Sequence, residues 1–168
     1  MKAWDLRDPE LLKSWADEHS LPLQCEATDL VCVGTDALGR DQRMTAACAE
    51  HWQQMCQSAA KAGVELILVS AFRSIEHQRG IFEKKLARGE ALEDILCVNA
   101  APGYSEHHSG RALDLGTPGC EDLTENFEAT PAFAWLCENA EGFGFRLSYP
   151  RDNAFDIAYE PWHWALCE

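Results

Sequence analysis

The clearest helical periodicity in the chain runs from Thr45 to Ala62. Cys48, Trp52, Cys56 and Ala59 recur three or four residues apart on one face, and Gly63 follows at the position where helices commonly end. The apolar run Val64-Glu65-Leu66-Ile67-Leu68-Val69-Ser70 is strand-sized and predicts a central strand, which delivers Ser70-Ala71-Phe72-Arg73-Ser74 to its end. Ser74 then caps a helix that runs to about Arg88 and stops at Gly89, and a shorter helix covers roughly Ala91 to Cys97. Nearer the start, Asp8-Pro9-Glu10 opens a helix with Leu11, Leu12 and Trp15 on its apolar face, ending near Ser20-Leu21-Pro22.

The remaining segments have weaker patterns. Leu21 to Arg40 reads as irregular, with turns at Gly34 and Gly39. Asp29, Asp36 and Asp41 within and beside it do not have the spacing of a calcium loop. Val98 to Tyr104 is a loop containing Pro102 and Gly103. Arg111 to Leu115 alternates like a strand with Ala112 and Asp114 on one face. Thr130 caps a helix over Pro131 to Ala140, with Phe133, Leu136 and Cys137 on its apolar face. Gly142 to Leu147 turns into a strand, and Ala158 to Trp164 reads as a last strand interrupted by Pro161. Helices come early and short strands late, without a βαβ rhythm. The expected class is α+β: a small, mainly antiparallel sheet with flanking helices.

The chain has 168 residues and suits one domain, with an N-terminal helix and irregular segment over 1–40 and a core over 41–168. Lys and Arg number 14 against 28 Asp and Glu, a net charge of -14. A surface this acidic repels phosphate backbones and anionic lipid, which excludes nucleic acid and membrane surfaces as expected partners. Residues 2–8 form no apolar h-region, and no apolar run approaches the ~18 residues that span a bilayer. The expectation is a cytoplasmic protein whose eight cysteines are reduced thiols.

Two short stretches concentrate the chemistry. In the first, Ser105-Glu106-His107-His108-Ser109-Gly110-Arg111-Ala112-Leu113-Asp114, His107 and Asp114 lie seven apart with Gly110 between them to turn the chain. The second, Glu160-Pro161-Trp162-His163-Trp164, brings another histidine from the far end of the chain. Two histidines, one carboxylate and an open fourth position form a usual ligand set for catalytic zinc. Glu160 is a candidate base for a zinc-activated water. Residues three apart on an extended strand face opposite sides, so the irregularity at Pro161 must re-aim Glu160 or His163. Arg73 suits the stabilisation of an oxyanion, and Gln78 and Ser105 suit the holding of a substrate carboxylate. By chemistry alone His108 competes with His107. His19, His51 and His77 lie on expected helices and read as structural, and Trp4, Trp15, Trp52 and Trp135 read as core.

The pattern Ser-x-His-x-x-Gly-x-Ala-x-Asp at Ser105 to Asp114, paired with Glu-x-x-His-Trp at Glu160 to Trp164, resembles the zinc D-alanyl-D-alanine carboxypeptidase and dipeptidase family (VanY-type, LAS-fold metallopeptidases). Ser70 to Ser74 with Gln78, Gly142 to Phe145, and Ser148-Tyr149-Pro150 resemble further motifs of that family. The likeness covers roughly Val64 to Leu166. It implies one zinc per chain held by His107, Asp114 and His163, with His107 selected over His108 by register. It implies Glu160 as general base, Arg73 stabilising the transition state, and Ser105 and Gln78 near the substrate's terminal carboxylate. Trp162 and Trp164, on either side of the last ligand, are the pocket-lining candidates. The implied activity is removal of a terminal D-amino acid from a peptidoglycan-derived peptide. A D,D-dipeptidase, an L,D-carboxypeptidase and a cross-link endopeptidase are the same-family alternatives. A non-catalytic zinc-binding module, as in the similar signalling domain of Hedgehog proteins, is the alternative of a different class.

Overall fold

The computed structural model describes residues 6–167, so Trp4 lies outside the described residues. Helix α1 spans Pro9–Glu18, and the Asp8 carboxylate accepts hydrogen bonds from the amides of Glu10 and Leu11 as an N-cap. Strands β1 (Leu30–Thr35) and β2 (Asp41–Thr45) form an antiparallel hairpin within the stretch expected to be irregular. Gly39, at φ +75°, sits in its turn, and the register shifts between Cys32 and Gly34. Helix α2 (Ala46–Lys61) follows directly, with the Thr45 hydroxyl accepting from the Cys48 amide and Gly63 at φ +76° beyond its end.

Strand β3 (Ile67–Ser70) leads through Arg73 into α3 (Ile75–Ala87), capped by Ser74, and α4 (Leu92–Val98) packs beside it. A short 3₁₀ turn at Glu106–Ser109 enters β4 (Ala112–Gly116). Helix α5 (Pro131–Asn139), β5 (Phe145–Leu147) and β6 (His163–Leu166) complete the chain. The four late strands form one antiparallel sheet in the order β3-β4-β6-β5. This is the α+β class with a small antiparallel sheet. Among the described residues, no helix is long and apolar enough to cross a membrane.

The central pair β4 and β6 separates the core from the chemistry by strand alternation. Leu113 pairs with Trp164 on one face, where Leu115, Leu166, Met55, Leu136 and Phe145 bury against them. Asp114 pairs with His163 on the other face, and Ser70 pairs with Asp114 from β3. A second apolar cluster joins Leu12 and Trp15 of α1, Phe82 of α3, Ile95 of α4, Tyr104 and Tyr149. Cys48 and Ala59 are buried as the helical pattern predicts. Cys137 is exposed, because α5 turns Ala132 and Leu136 inward instead.

Two elements at the site depart from the sequence reading. Ala158 to Glu160 is not strand. The His163 amide donates to the Glu160 carbonyl at 3.1 Å, a turn with Pro161 and Trp162 at its centre, and the strand begins only at His163. A turn brings residues three apart to the same side, which answers the facing problem that an extended strand posed. Gly110 closes the 3₁₀ turn at φ +67°, and a Cβ there would meet Leu30 Cδ2 at 2.8 Å. The β1–β2 hairpin therefore packs directly over the motif glycine, and Gly110 O accepts from the Thr45 amide at the root of α2.

Candidate metal and active site

His107, Asp114 and His163 are each 2–4% exposed and offer ligand atoms within 4.8 Å of one another. Each is presented by a different local device. Asp114 and His163 are direct cross-strand partners on β4 and β6. His107 is carried in by the 3₁₀ turn, whose register is pinned where the Arg73 amide donates to the His107 carbonyl at 3.1 Å.

The imidazole tautomers follow from the outer partners. His107 Nδ1 lies 2.7 Å from the Ala71 carbonyl, an acceptor only, so Nδ1 carries the proton and the Nε2 lone pair faces Asp114 Oδ2 at 3.1 Å. His163 turns the opposite edge inward: Nδ1 is 3.1 Å from Asp114 Oδ1 and 3.7 Å from Glu160 Oε2. Its Nε2 points outward to Glu106 Oε2 at 2.9 Å. The two rings stand edge-on, with centroids 4.9 Å apart.

Burial holds His107 below the ordinary imidazole value, which keeps it in the neutral form that binds metals. Burial would likewise lower His163, but hydrogen bonds and charge from Asp114 and Glu106 outweigh it and push the ring up to about 10. Burial works against the Asp114 carboxylate, yet the two histidines hold it well below the usual range. The pocket thus favours positive charge between two imidazoles and a carboxylate, and this donor set fits a zinc ion with one position open to solvent or substrate.

A cleft of about 360 Å³ opens over these residues, lined also by Arg73, Gln78, Ser105, Tyr149, Glu160 and Trp162. Burial pushes the Glu160 carboxyl up to about 7, with His163 and Arg73 drawing it down and Asp114 and Glu106 raising it. The Arg73 guanidinium lies 3.7 Å from Asp114 Oδ2, and its Nη1 donates to Gln78 Oε1 at 2.8 Å. Gln78 is 1% exposed and donates from Nε2 to the Ala100 carbonyl at 2.8 Å. Its amide oxygen is committed to Arg73, so Gln78 touches the cleft chiefly through the guanidinium that it holds.

The structure separates candidates that the sequence left together. His108 is fully buried and points away from the cluster: its Nδ1 donates to the Arg73 carbonyl at 2.6 Å and its Nε2 accepts from the Gly103 amide at 3.1 Å. Both ring nitrogens are used, which leaves none for a metal. Trp162 lines the cleft, but Trp164 does not. One residue beyond His163 on the same strand, Trp164 faces the core, donates from Nε1 to the Pro161 carbonyl at 3.0 Å and packs edge-on to Phe133. Trp164→Ala is expected to cost about 3–5 kcal/mol of stability by emptying a core position. Trp162→Ala, at a half-buried position on the edge of that core, is expected to cost less stability than Trp164→Ala and to raise KM. Denaturant titration beside steady-state kinetics separates the two. His19 and His51 hydrogen-bond to the Trp15 and Phe143 carbonyls outside the cleft.

Two residues at the site were not singled out from sequence. Tyr149, buried, sets its ring 4.7 Å from that of His163 at a tilt of 42° and lines the cleft. Glu106 reaches His163 from the 3₁₀ turn. Its position inside the Ser-x-His motif was the available signal.

Residues 41–167 match the family model of VanY, D-alanyl-D-alanine carboxypeptidase. The chain is 32% identical to YodJ of Bacillus subtilis over 170 residues, which is 94% of this chain and 60% of YodJ. It therefore spans less than two thirds of that relative. The solved structure of the LdcB LD-carboxypeptidase is similar at a TM-score of 0.75 and 30% identity, covering 86% of this chain and 71% of LdcB. The vancomycin resistance D,D-pentapeptidase VanY from a VanB-type cassette, solved with Zn(II), is similar at a TM-score of 0.65 and 27% identity, covering 87% of this chain and 82% of that one.

Proposed function

The chain belongs to the VanY family of D-alanyl-D-alanine carboxypeptidases, and from that premise we propose that it is a zinc-dependent carboxypeptidase. Its proposed reaction is hydrolysis of the terminal D-amino-acid bond of peptidoglycan stem peptides of the D-Ala-D-Ala type. The observation that carries this reading is the convergence, in one cleft, of His107, Asp114 and His163 with Glu160 and Arg73. A non-catalytic zinc-binding module needs neither a carboxyl like Glu160 in the cleft nor a guanidinium fixed like that of Arg73.

Zinc, when held by His107 Nε2, Asp114 and His163 Nδ1, supplies a Lewis acid that acidifies a water and polarises the scissile carbonyl. The remaining steps belong to the protein. Glu160 accepts a proton from the attacking water as its oxygen bonds to the carbonyl carbon. It returns that proton to the amide nitrogen as the C–N bond breaks, so that the D-amino acid leaves as an amine. Arg73 places its charge where the oxyanion develops. Ser105, which lines the cleft, is the proposed partner of the substrate's terminal carboxylate, with Gln78 acting through the Arg73 guanidinium it holds and Trp162 as a wall.

Likeness to the LdcB LD-carboxypeptidase favours one second reading, cleavage of the bond between an L residue and the terminal D-alanine of a tetrapeptide. The test is hydrolysis of D-Ala-D-Ala, of a pentapeptide ending in D-Ala-D-Ala and of a tetrapeptide ending in one D-Ala, by zinc-loaded and chelator-stripped protein. Cleavage of the pentapeptide, lost on stripping and restored by zinc, is the expected result. Cleavage of the tetrapeptide alone would replace it with the L,D reading. Cleavage of the dipeptide alone would replace it with a dipeptidase. Bound zinc without turnover of any of the three would overturn the carboxypeptidase reading; cleavage of a cross-linked peptidoglycan fragment would then mean an endopeptidase, and its absence a zinc-binding module.

A further inference from the structure

Glu106 is a half-buried acidic residue, 16% exposed, that the hydrolytic steps do not use, yet its carboxylate is gripped from three directions. Oε2 lies 2.9 Å from His163 Nε2 and accepts the Ser148 hydroxyl at 2.5 Å, while Oε1 accepts from Arg146 at 2.8 Å. The partners reach the 3₁₀ turn that carries Glu106 from distant parts of the chain: strand β5, the residue after it, and strand β6. Ser148 is tied to His163 a second time, donating its amide to the His163 carbonyl at 3.3 Å.

We infer that Glu106, clamped by Ser148 and Arg146, is a positioning residue that orients His163 toward the metal and strengthens it as a ligand. The inference rests on the zinc reading above. Both ring nitrogens face a carboxylate, Asp114 at Nδ1 and Glu106 at Nε2; a cation bound by Asp114 would take the place of the Nδ1 proton, and Glu106, which only accepts, would hold the remaining N–H on Nε2 and keep the Nδ1 lone pair directed inward. It also blocks the ring flip that would exchange the two nitrogens. A negative acceptor behind a ligating imidazole raises the ring's donor strength, and loss of such a partner typically weakens metal binding about 10- to 100-fold. The two histidines are held unequally: a backbone carbonyl orients His107, whereas an ionic side chain orients His163. Substitution can therefore tune only the second. Arg146 by itself would make Glu106 an ordinary surface pair, since the arginine is 48% exposed. The buried serine on the oxygen that faces His163 is what a purely surface pair lacks.

The test is zinc affinity by competition with a chromophoric chelator, for wild type, Glu106→Gln, Glu106→Ala and Ser148→Ala. It is read beside the visible absorption spectrum of each cobalt-substituted protein and the unfolding midpoint of each metal-free form. Glu106→Gln can still accept from Nε2 but loses the charge, and is expected to weaken zinc binding about 10-fold. Glu106→Ala loses both and is expected to approach 100-fold, with a shifted cobalt spectrum. Ser148→Ala keeps the carboxylate but loosens it, gives a smaller loss, and tests the link if Glu106→Ala does not fold. Wild-type affinity and an unchanged cobalt spectrum in folded Glu106→Gln and Ser148→Ala would overturn the inference while leaving the zinc reading standing. Failure of the wild type to bind one zinc per chain would overturn both.

Discussion

Replacing Glu160 with glutamine is expected to lower kcat by about 10²–10⁴-fold while one zinc stays bound per chain. The size follows from the role proposed for the side chain: a base that takes the proton of the attacking water and hands it to the leaving nitrogen would act in both halves of the reaction. Glutamine preserves shape and hydrogen bonding but cannot carry the proton. Burial raises the Glu160 carboxyl to about 7, and the neighbouring charges partly cancel. A dication on the adjacent ligands draws that value down, so the loaded protein holds Glu160 ionised at neutral pH, ready to accept a proton. The sign is then settled. Activity falls on the acid side as the carboxylate is protonated, and the acid limb of the kcat/KM profile disappears from the residual activity of Glu160→Gln. Metal analysis and a pH–rate profile check both halves. Full activity in the variant would remove Glu160 from the mechanism.

What the sequence made legible was local. Asp8, Thr45, Ser74 and Thr130 cap helices within three residues of themselves, and Gly63 and Gly89 take left-handed conformations just past helix ends. These signals need no partner elsewhere in the chain. The candidate metal set was legible for a different reason: two histidines and a carboxylate are a chemically restrictive set, while the choice of His107 over His108 came from the register of the family motif rather than from chemistry alone. The β1–β2 hairpin was missed because its strands are mostly exposed and lack clean alternation. The hairpin is held instead by its ladder and by packing over Gly110. Glu160-Pro161-Trp162 was read as strand because Tyr159, Trp162 and Trp164 favour strands, while the deciding contact is a backbone bond from His163 to Glu160. Glu106 sits at the unspecified position of the Ser-x-His motif, and its role was not legible there because its partners lie 40 to 57 residues away. Trp164 was misplaced for a simpler reason. The family likeness marks the tryptophans beside the ligand, and only the strand's period of two sends one to the cleft and the other to the core.

Removing the guanidinium with Arg73→Ala is expected to cost about 10²–10³-fold in kcat, the range for deleting one donor to a developing oxyanion. The structure supplies the reason that this donor is preorganised. The Arg73 backbone is fixed on both sides, its amide donating to the His107 carbonyl and its own carbonyl accepting from His108 Nδ1. Its side chain is only 18% exposed and is held at Nη1 by Gln78. Such a group has little reorganisation left to do as charge appears. Arg73→Lys should recover little of the loss, because an ammonium cannot both keep the Gln78 contact and present a second donor to substrate. Gln78→Ala separates two roles for the glutamine. If Gln78 acts by aiming Arg73, kcat falls and KM changes little. If it binds the substrate carboxylate itself, KM rises and kcat is preserved. The commitment of its oxygen to Arg73 and its nitrogen to Ala100 makes the first outcome the expected one. Steady-state kinetics on the three variants, with zinc content measured in each, decides it. Wild-type kcat in Arg73→Ala would mean that the oxyanion is met by other groups and that Arg73 serves only to balance Asp114.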